Sequence, residues 1–372
     1  MRIPTLGLVF AVEVDVGGTK YEMVIDTGSA DTWLPKPNFQ CVAIGTGDVR
    51  PQSDCGFAST YTQSRTYKEV PNQNFYVQYT DGEELIGTLA RETITVAGIK
   101  IPHQKFALVD RAAWIGDTAT SGLLGLAFPA AVKSFRGTNY LLDSPANQVR
   151  YSPVFTSMYK RHGVAPLFSI ALDRNSGGQL AVGGLPKGLS YFPVFASSPF
   201  QLLTTSGSGQ VGTSSSRAYT LYTITTQGFT YGNASAAAWA YNNNPNPFGP
   251  PSDRTQVQVI IDTGTVNIFL PPTTAAAINA GFSPKPLYKT NAGLYVVKCD
   301  ANPPRFGVKI GFETFFVNPK DMVVNLGDRC VSAVAATGVG GTSILGEAFL
   351  KNVLAVFDVG AQMMRFAARE YY

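Results

Sequence analysis

The sequence predicts an all-β fold made of two similar lobes. Strand-forming Thr, Val, Tyr and Phe are frequent, and 37 glycines and 24 prolines favour short strands joined by tight turns over long helices. A chain of 372 residues that is 45% apolar and 15% charged can bury a large core and is long enough for more than one lobe. A segment repeated in the two halves of the chain indicates that the lobes share one architecture.

The repeat consists of two landmarks that occur in the same order in each half. Val24–Ser29 (VIDTGS) returns as Ile260–Thr265 (IIDTGT), and Gly122–Phe128 (GLLGLAF) returns as Ser343–Phe349 (SILGEAF). This order predicts homologous lobes related by a pseudo-twofold axis, with the two Asp loops meeting at that axis beside a central cleft. A turn-rich segment near residue 173 marks the predicted boundary, giving an N-terminal lobe of residues 1–173 and a C-terminal lobe of residues 174–372.

The two repeated acids, Asp26 and Asp262, are the candidate catalytic residues. Peptide hydrolysis needs a base that takes a proton from the attacking water and an acid that protonates the leaving nitrogen. Two carboxylates held close together supply both, because like charges cannot easily both ionise and the pair shares one proton over an acidic range. A single Asp-Thr-Gly is an ordinary turn, but two copies after apolar runs predict an acid–base pair.

The residues that follow each Asp have a predicted supporting role. These residues are Thr27, Gly28, Ser29, Thr263, Gly264 and Thr265. The glycines let backbone amides approach the carboxylates, and the hydroxyls of Ser29 and Thr265 can donate hydrogen bonds to them. We expect the first threonine of each copy to hydrogen-bond across the pseudo-twofold axis and to fix the geometry of the pair.

The charge pattern and the remaining motifs argue against other classes of protein. A net charge of +4 without a dense basic run does not indicate nucleic-acid binding, and no stretch is long and apolar enough to predict a membrane span. His103 and His162 are the only histidines, and neither HExxH nor GxSxG occurs, so a zinc protease or serine hydrolase would lack essential parts. Gly207–Gly212 fits GxGxxG but lies in a polar stretch that we interpret as a loop. We expect no metal and no cofactor.

The four cysteines form two couples that are local in the sequence, Cys41 with Cys55 and Cys299 with Cys330. Two disulfides in an oxidising compartment are one interpretation, and four buried free thiols in a cytosolic protein are the other, because connectivity cannot be proved from sequence. A glycosylation sequon at Asn233 favours the first. Residues 1–16 alternate like a strand and not like a signal peptide, so we expect a mature body without its signal and pro-segment.

These motifs resemble those of the pepsin family of aspartic endopeptidases, in the family's order and along nearly the whole chain. The resemblance implies a bilobed all-β acid-protease fold with a hairpin flap over the cleft. Here strand-like segments flank the turn Thr80-Asp81-Gly82, and Asp-Gly between such segments favours a hairpin. Tyr79 is similar to the flap tyrosine, Trp33 to its hydrogen-bonding partner, and Asp81 to a residue that contacts substrate. Thr80 stands where many relatives have glycine.

The resemblance also implies a cleft that binds an extended peptide, with alternate side chains in pockets. Leu123 corresponds to a pocket wall, Trp114 lies near another pocket, and Ile344 and Tyr219 correspond to cleft positions of the second lobe. We therefore expect a preference for bulky hydrophobic residues around the cut, although any of the four could be a core residue instead.

The activity, partners and location implied by the family are those of a monomeric acid endopeptidase acting on proteins or peptides. Secreted and vacuolar or lysosomal enzymes, some of fungal type, belong to the family, and they are made as zymogens and inhibited by pepstatin-type compounds. The rival hypothesis is a non-enzymatic relative that keeps the fold. Such relatives usually lose an Asp or the flap tyrosine, and this sequence keeps Asp26, Asp262 and Tyr79.

Overall fold

The computed structural model describes residues 9–174, 177–203, 218–232, 252–290, 292–338 and 340–369, and most of its regular structure is strand. Within these ranges the α-helices are short: Val154–Arg161 (α1), Pro272–Asn279 (α2) and Glu347–Leu350 (α3). The described residues also form 3-10 turns at Gln52–Cys55, Pro129–Ala131, Tyr140–Leu142 and Pro319–Asp321. The all-β prediction is confirmed.

The chain divides into two compact units. The first comprises Met1–Pro166 and Ser208–Leu221, and the second comprises Leu167–Gly207 and Tyr222–Tyr372. Each contains one copy of the repeated segments.

The first unit is built on one nine-stranded sheet. Its strands are Ala11–Val16 (β1), Thr19–Asp26 (β2), Thr32–Val42 (β3), Val49–Arg50 (β4), Lys68–Gln78 (β5), Glu84–Val96 (β6), Ile99–Ala113 (β7), Gly122–Gly125 (β8) and Ser134–Arg136 (β9). They are hydrogen-bonded in the order β1-β2-β8-β3-β7-β6-β5-β9, and β4 pairs with β3. The strand-like alternation predicted before residue 17 corresponds to β1, in which Val14 and Val16 are buried.

The second unit contains four smaller sheets. Its strands are Leu167–Asp173 (β10), Gly177–Val182 (β11), Phe195–Pro199 (β12), Thr223–Thr225 (β13), Gly228–Gly232 (β14), Gln258–Ile261 (β15), Ile268–Leu270 (β16), Leu287–Lys289 (β17), Leu294–Val297 (β18), Arg305–Ile310 (β19), Glu313–Phe316 (β20), Val323–Asn325 (β21), Cys330–Ser332 (β22), Val334–Ala336 (β23), Ser343–Leu345 (β24), Val353–Asp358 (β25) and Met363–Ala368 (β26). The sheets have the orders β11-β10-β25-β26-β12, β13-β15-β24-β16-β23, β14-β19-β20 and β17-β18-β22-β21.

The same strand arrangement surrounds the Asp loop in both units. In the first, β8 lies between β2, to which it is parallel, and β3, to which it is antiparallel, so that Leu124 faces both Ile25 and Thr32. In the second, β24 lies between parallel β15 and antiparallel β16, and Leu345 faces Ile261 and Ile268. Each Leu-Gly segment therefore lies between the strand that precedes one Asp loop and the strand that follows it. This shared arrangement explains why the two landmarks repeat together.

The division between the units differs from the predicted single boundary near residue 173. The turn-rich segment there joins β10 to β11, and Asp173 is paired with Gly177 across this hairpin. Because β10 also pairs with β25 of the second unit, that unit begins at Leu167. A hairpin turn and a linker have the same composition, so the sequence alone could not distinguish them.

Both cysteine couples form disulfides, Cys41–Cys55 and Cys299–Cys330, and the structure contains no free cysteine among the described residues. The predicted pairing is confirmed, and the free-thiol interpretation is wrong. The described helices include none that is long and apolar enough to cross a membrane. The sequon at Asn233 and the Gly207–Gly212 motif lie outside the described residues.

Candidate active site

The first Asp loop places a nearly buried carboxylate between two donors. Asp26 is the last residue of β2 and is 5% exposed. The backbone N–H of Gly28 donates to its Oδ1 at 2.7 Å, and the hydroxyl of Ser29 donates to its Oδ2. Each oxygen therefore has a donor from the loop itself, which fixes the orientation of the carboxylate.

The second Asp loop repeats this arrangement atom for atom. Asp262 directly follows β15 and is 8% exposed. The N–H of Gly264 donates to its Oδ1 at 2.8 Å, and the hydroxyl of Thr265 donates to its Oδ2 at 2.6 Å. A turn of no function would not need to hold an acid in the same way twice in one chain.

Two glycines allow the loop and the Leu-Gly segment to pack this closely. A Cβ on Gly125 would lie 2.5 Å from the carbonyl oxygen of Asp31, and one on Gly346 would lie 2.2 Å from that of Thr265. Both distances are too short for any side chain. The glycine of each Leu-Gly segment is therefore required by the backbone of the Asp loop beside it.

The threonines that follow the two acids, Thr27 and Thr263, are fully buried. Burial next to each carboxylate agrees with a structural role. Their hydrogen bonding across a pseudo-twofold axis stays a prediction.

The expected flap is an antiparallel hairpin formed by β5 and β6. Gln78 pairs with Glu84, and the turn between them is closed by the N–H of Tyr79 donating to the carbonyl of Glu83 at 2.8 Å. Gly82 has a φ of 95°, in the left-handed region where glycine is favoured. Thr80 and Asp81 are exposed at the tip, and Asp81 Oδ1 accepts the N–H of Glu83 at 3.1 Å.

An aromatic cluster connects the flap to the strand behind it. The indole N–H of Trp33 donates to the hydroxyl oxygen of Tyr79 at 3.0 Å. The ring of Trp114 lies 5.7 Å from that of Tyr79 and 5.0 Å from that of Trp33, both edge-on. Burial, followed by the negative charge of Asp26, raises the pKa of Tyr79 well above its ordinary value, which means that Tyr79 lies within the electrostatic reach of Asp26.

Two members of this region were not singled out by the sequence. Phe57 stacks on Trp114 at 6.1 Å and meets Trp33 edge-on at 5.9 Å. Glu83 accepts the N–H of Ile115 at 2.8 Å, which ties the flap turn to the residue after Trp114. Burial, and then the charge of Asp81, raises the pKa of Glu83 to about 8. The hairpin pattern could have indicated Glu83, because that residue lies in the flap turn. No local pattern indicates Phe57, because it acts through contacts distant in sequence.

The other predicted substrate-binding residues are found in different surroundings. Leu123 is 4% exposed and belongs to the core cluster that includes Val24 and Trp33. Ile344 is half-buried in β24, paired with Ile260. Tyr219, expected in the second lobe, groups with the first unit, where its ring lies 5.7 Å from that of Phe128. Tyr219 therefore belongs to the first unit, although β13, which begins four residues later, belongs to the second.

A buried acid lies beside the second Asp loop where the first unit has a leucine. Glu347 occupies the position of Leu126 in the repeat, and its N–H donates to the carbonyl of Thr265 at 2.8 Å. Its side chain is fully buried, and neither carboxylate oxygen has a hydrogen-bond partner among the described residues. Burial raises the pKa of Glu347 well above the ordinary value. The positive charge of Lys351, 3.9 Å away, partly opposes this shift, and the negative charge of Asp262 adds to it. Comparison of the two Leu-Gly segments would have revealed this asymmetry.

No cluster of three or more His, Cys, Asp or Glu side chains suited to a metal ion is found in the described parts of the chain.

Comparisons with known proteins agree on one family. The family model for eukaryotic aspartyl proteases matches residues 9–369. A probable aspartic-type endopeptidase of Aspergillus fumigatus is 35% identical over 376 residues, covering 97% of this chain and 79% of the relative. Aspergillopepsin-1 of Aspergillus flavus is 24% identical over 373 residues, covering 97% of this chain and 76% of the relative. The crystal structure of an aspartic proteinase from Irpex lacteus superposes with a TM-score of 0.69 at 17% identity, covering 100% of this chain and 98% of that one, and so shares the fold.

Proposed function

The chain belongs to the eukaryotic aspartyl protease family, and we propose that Asp26 and Asp262 form one acid–base pair that activates a water for peptide hydrolysis at acidic pH. As a member of this family the protein is an aspartic endopeptidase, and its substrates are peptides. The pairing of the two acids, their mechanism and the preferred substrate are the proposal.

The observation that carries the proposal is the identical hydrogen bonding of the two acids. In each loop a glycine N–H and a hydroxyl donate to opposite oxygens of the carboxylate. These donors hold each carboxylate in one orientation, as a pair of acid–base groups requires. With one proton on the pair, the ionised Asp takes a proton from the water as the water oxygen bonds to the peptide carbonyl carbon, while the other Asp protonates the carbonyl oxygen. The first Asp then gives its proton to the leaving nitrogen, the second Asp takes back the proton from the oxygen, and the peptide C–N bond breaks.

An extended peptide chain under the flap is the proposed substrate. The β5–β6 hairpin offers a strand-like edge, and extended peptides bind to such edges through main-chain hydrogen bonds. Half-buried Tyr79, Trp114, Phe57 and Ile344 supply apolar surface near the two acidic loops. This surface supports a preference for bulky hydrophobic residues on either side of the cut.

We extend the proposal to the protein's setting. Two disulfides support folding in an oxidising compartment, in agreement with secretion or with a vacuolar or lysosomal location. The enzyme acts as a monomer, because one chain carries both acids, is made as a zymogen, and binds pepstatin-type inhibitors.

Hydrolysis of denatured casein at about pH 4, with and without pepstatin, tests the proposed function. We expect cleavage that pepstatin abolishes and that declines toward neutral pH, because a pair sharing one proton works only while one acid stays protonated. Pepstatin-insensitive cleavage, or a rate that rises steadily toward about pH 8, would contradict the mechanism. Absence of any cleavage by folded protein would favour the non-enzymatic rival.

A further inference from the structure

A cavity in the first unit concentrates positive charge. It has a volume of about 400 Å³ and is lined by residues of β6, β7, α1 and the segment before α1. We call it the basic pocket. Its basic lining residues are Arg91, His103, Lys105, Arg150, Lys160 and Arg161.

The described lining of the basic pocket has basic side chains but no acidic ones. Five of the chain's 29 lysines and arginines line it, whereas no Asp or Glu is among its described lining residues. Like charges that share a cavity repel one another, so a bound anion would lower the electrostatic energy of this set. The end of α1 accounts for Lys160 and Arg161, because basic residues are favoured at helix C-termini, but it does not account for the others.

Lys105 shows that the positive charge extends below the surface. It is 5% exposed, and its ammonium group donates to the side chains of Gln73 and Ser134 and lies 5.0 Å above the ring of Tyr151. These partners are neutral. Burial, and next the charge of Arg91, lowers the pKa of Lys105 to about 8, although Asp31 opposes this shift. Asp31 accepts the hydroxyl of Tyr151 at 2.5 Å, so it lies behind the wall of the pocket.

The walls of the basic pocket are fixed before any ligand binds. The side-chain N–H groups of Gln104 donate to the carbonyls of Lys105 and Ser152, each at 2.9 Å, and so join β7 to the segment before α1. Arg91 donates to the carbonyl of His103 at 3.2 Å, where an extra residue in β7 forms a bulge. Bulges re-aim side chains, and this one lies where the basic groups converge.

One buried acceptor in the same wall has no partner. Gln104 is 2% exposed, and its Oε1 makes no hydrogen bond among the described residues. An anion that carries both negative oxygens and a hydroxyl could satisfy the cations and this acceptor together. A phosphate group at acidic pH has this combination, because one of its oxygens stays protonated, whereas sulfate has no proton to donate.

We infer that the basic pocket binds the phosphate group of a small soluble molecule. Arginine and lysine are the side chains that bind phosphate most effectively, the first through paired N–H donors and the second as a point charge. A cavity of about 400 Å³ falls in the range of small-ligand sites. The inference does not depend on the proposed proteolysis.

Titration calorimetry with inorganic pyrophosphate, at about pH 5 and low salt, tests the site. The informative variant is the double substitution Lys160→Gln with Arg161→Gln, because both side chains are exposed and their loss should leave the fold intact. Arg65→Gln with Lys68→Gln is the matched control, since it removes the same charge from exposed positions of the same unit outside the pocket. We expect saturable binding that weakens at least about tenfold in the pocket variant and less than about twofold in the control.

Sulfate, titrated in parallel, should bind more weakly than pyrophosphate. Equal weakening in both variants would overturn the inference, because pyrophosphate would then respond to the net charge of the unit and not to the pocket. Absence of saturable binding by the wild-type protein would also overturn it, because the pocket would then bind no phosphate. Binding to phosphatidic acid vesicles without binding to pyrophosphate would also contradict it, since the phosphate would then belong to a membrane surface.

Discussion

At the scale of single residues, the site is defined by donors and acceptors within a few positions of each Asp. These could be predicted from the sequence because a hydroxyl three residues after a carboxylate and a glycine two residues after it lie within one turn of chain. The observed bonds of Ser29 and Thr265 follow this local pattern. The repeat made the pattern recognisable, since one copy alone is an ordinary turn.

Removing either hydroxyl tests the importance of this local support. Ser29→Ala and Thr265→Ala should each lower kcat by about tenfold or more, because a hydrogen bond to a charged group contributes about 1.5–3 kcal/mol. Steady-state kinetics on a peptide substrate would measure the loss. Thr255→Ala, an exposed threonine of the second unit, is the control and should stay within about twofold of wild type. Unchanged kcat in both hydroxyl variants would show that the donors do not support the chemistry.

Glu347 predicts a pH dependence of stability that the leucine at the equivalent position of the first unit cannot produce. Its pKa in the folded protein lies above the ordinary 4.5, so the folded state holds the proton more tightly than the unfolded chain. The stability that Glu347 contributes is therefore full below about pH 4.5 and is lost as the pH rises toward its folded-state pKa.

Thermal unfolding between about pH 4 and pH 7 measures this effect. The Tm of Glu347→Leu should rise relative to that of wild type as the pH increases, because the variant has no buried acid to ionise. Glu69→Leu, at an exposed position, should show no such trend. A constant Tm difference between Glu347→Leu and wild type across this range would mean that Glu347 ionises in the folded protein as easily as in the unfolded one.

At the scale of elements, the sequence predicted what depends on short-range pattern and missed what depends on packing. The flap hairpin followed from Asp81-Gly82 between alternating segments, and the contact of Trp33 with Tyr79 followed from the family resemblance. The anchoring of Glu83 on Ile115 could not be predicted, because it joins residues 32 positions apart that no local rule brings together. The hairpin at residue 173 was not distinguished from a linker, because a hairpin turn and a linker have the same turn-rich composition.

The flap is expected to act through its aromatic contacts. Tyr79→Phe keeps the ring that packs on Trp114 but removes the oxygen that accepts the indole N–H of Trp33. One lost hydrogen bond of about 1 kcal/mol should lower kcat/KM by roughly fivefold to tenfold while the Tm stays close to wild type. Tyr76→Phe, on the same hairpin, should have a smaller effect. Equal kinetics of Tyr79→Phe and wild type would exclude a function for this hydrogen bond.

At the scale of the whole molecule, the internal repeat is the feature that the sequence predicted most fully. The two landmarks correspond to one arrangement of strands in each unit, with Leu124 and Leu345 at equivalent positions. The departures from the repeat were not predicted. Glu347 in the second unit and the basic pocket in the first are each specific to one copy, and a pattern that depends on similarity between copies gives no information about such differences.

We propose that Asp26 and Asp262 act as one catalytic pair, and kcat/KM of Asp26→Asn and Asp262→Asn on one peptide substrate tests this pairing most directly. Each asparagine keeps the size of the side chain but cannot exchange the proton. We predict that each variant loses at least roughly a thousandfold in kcat/KM, while Asp300→Asn, an exposed control, stays near wild type. Full activity in either Asp26→Asn or Asp262→Asn would contradict the account.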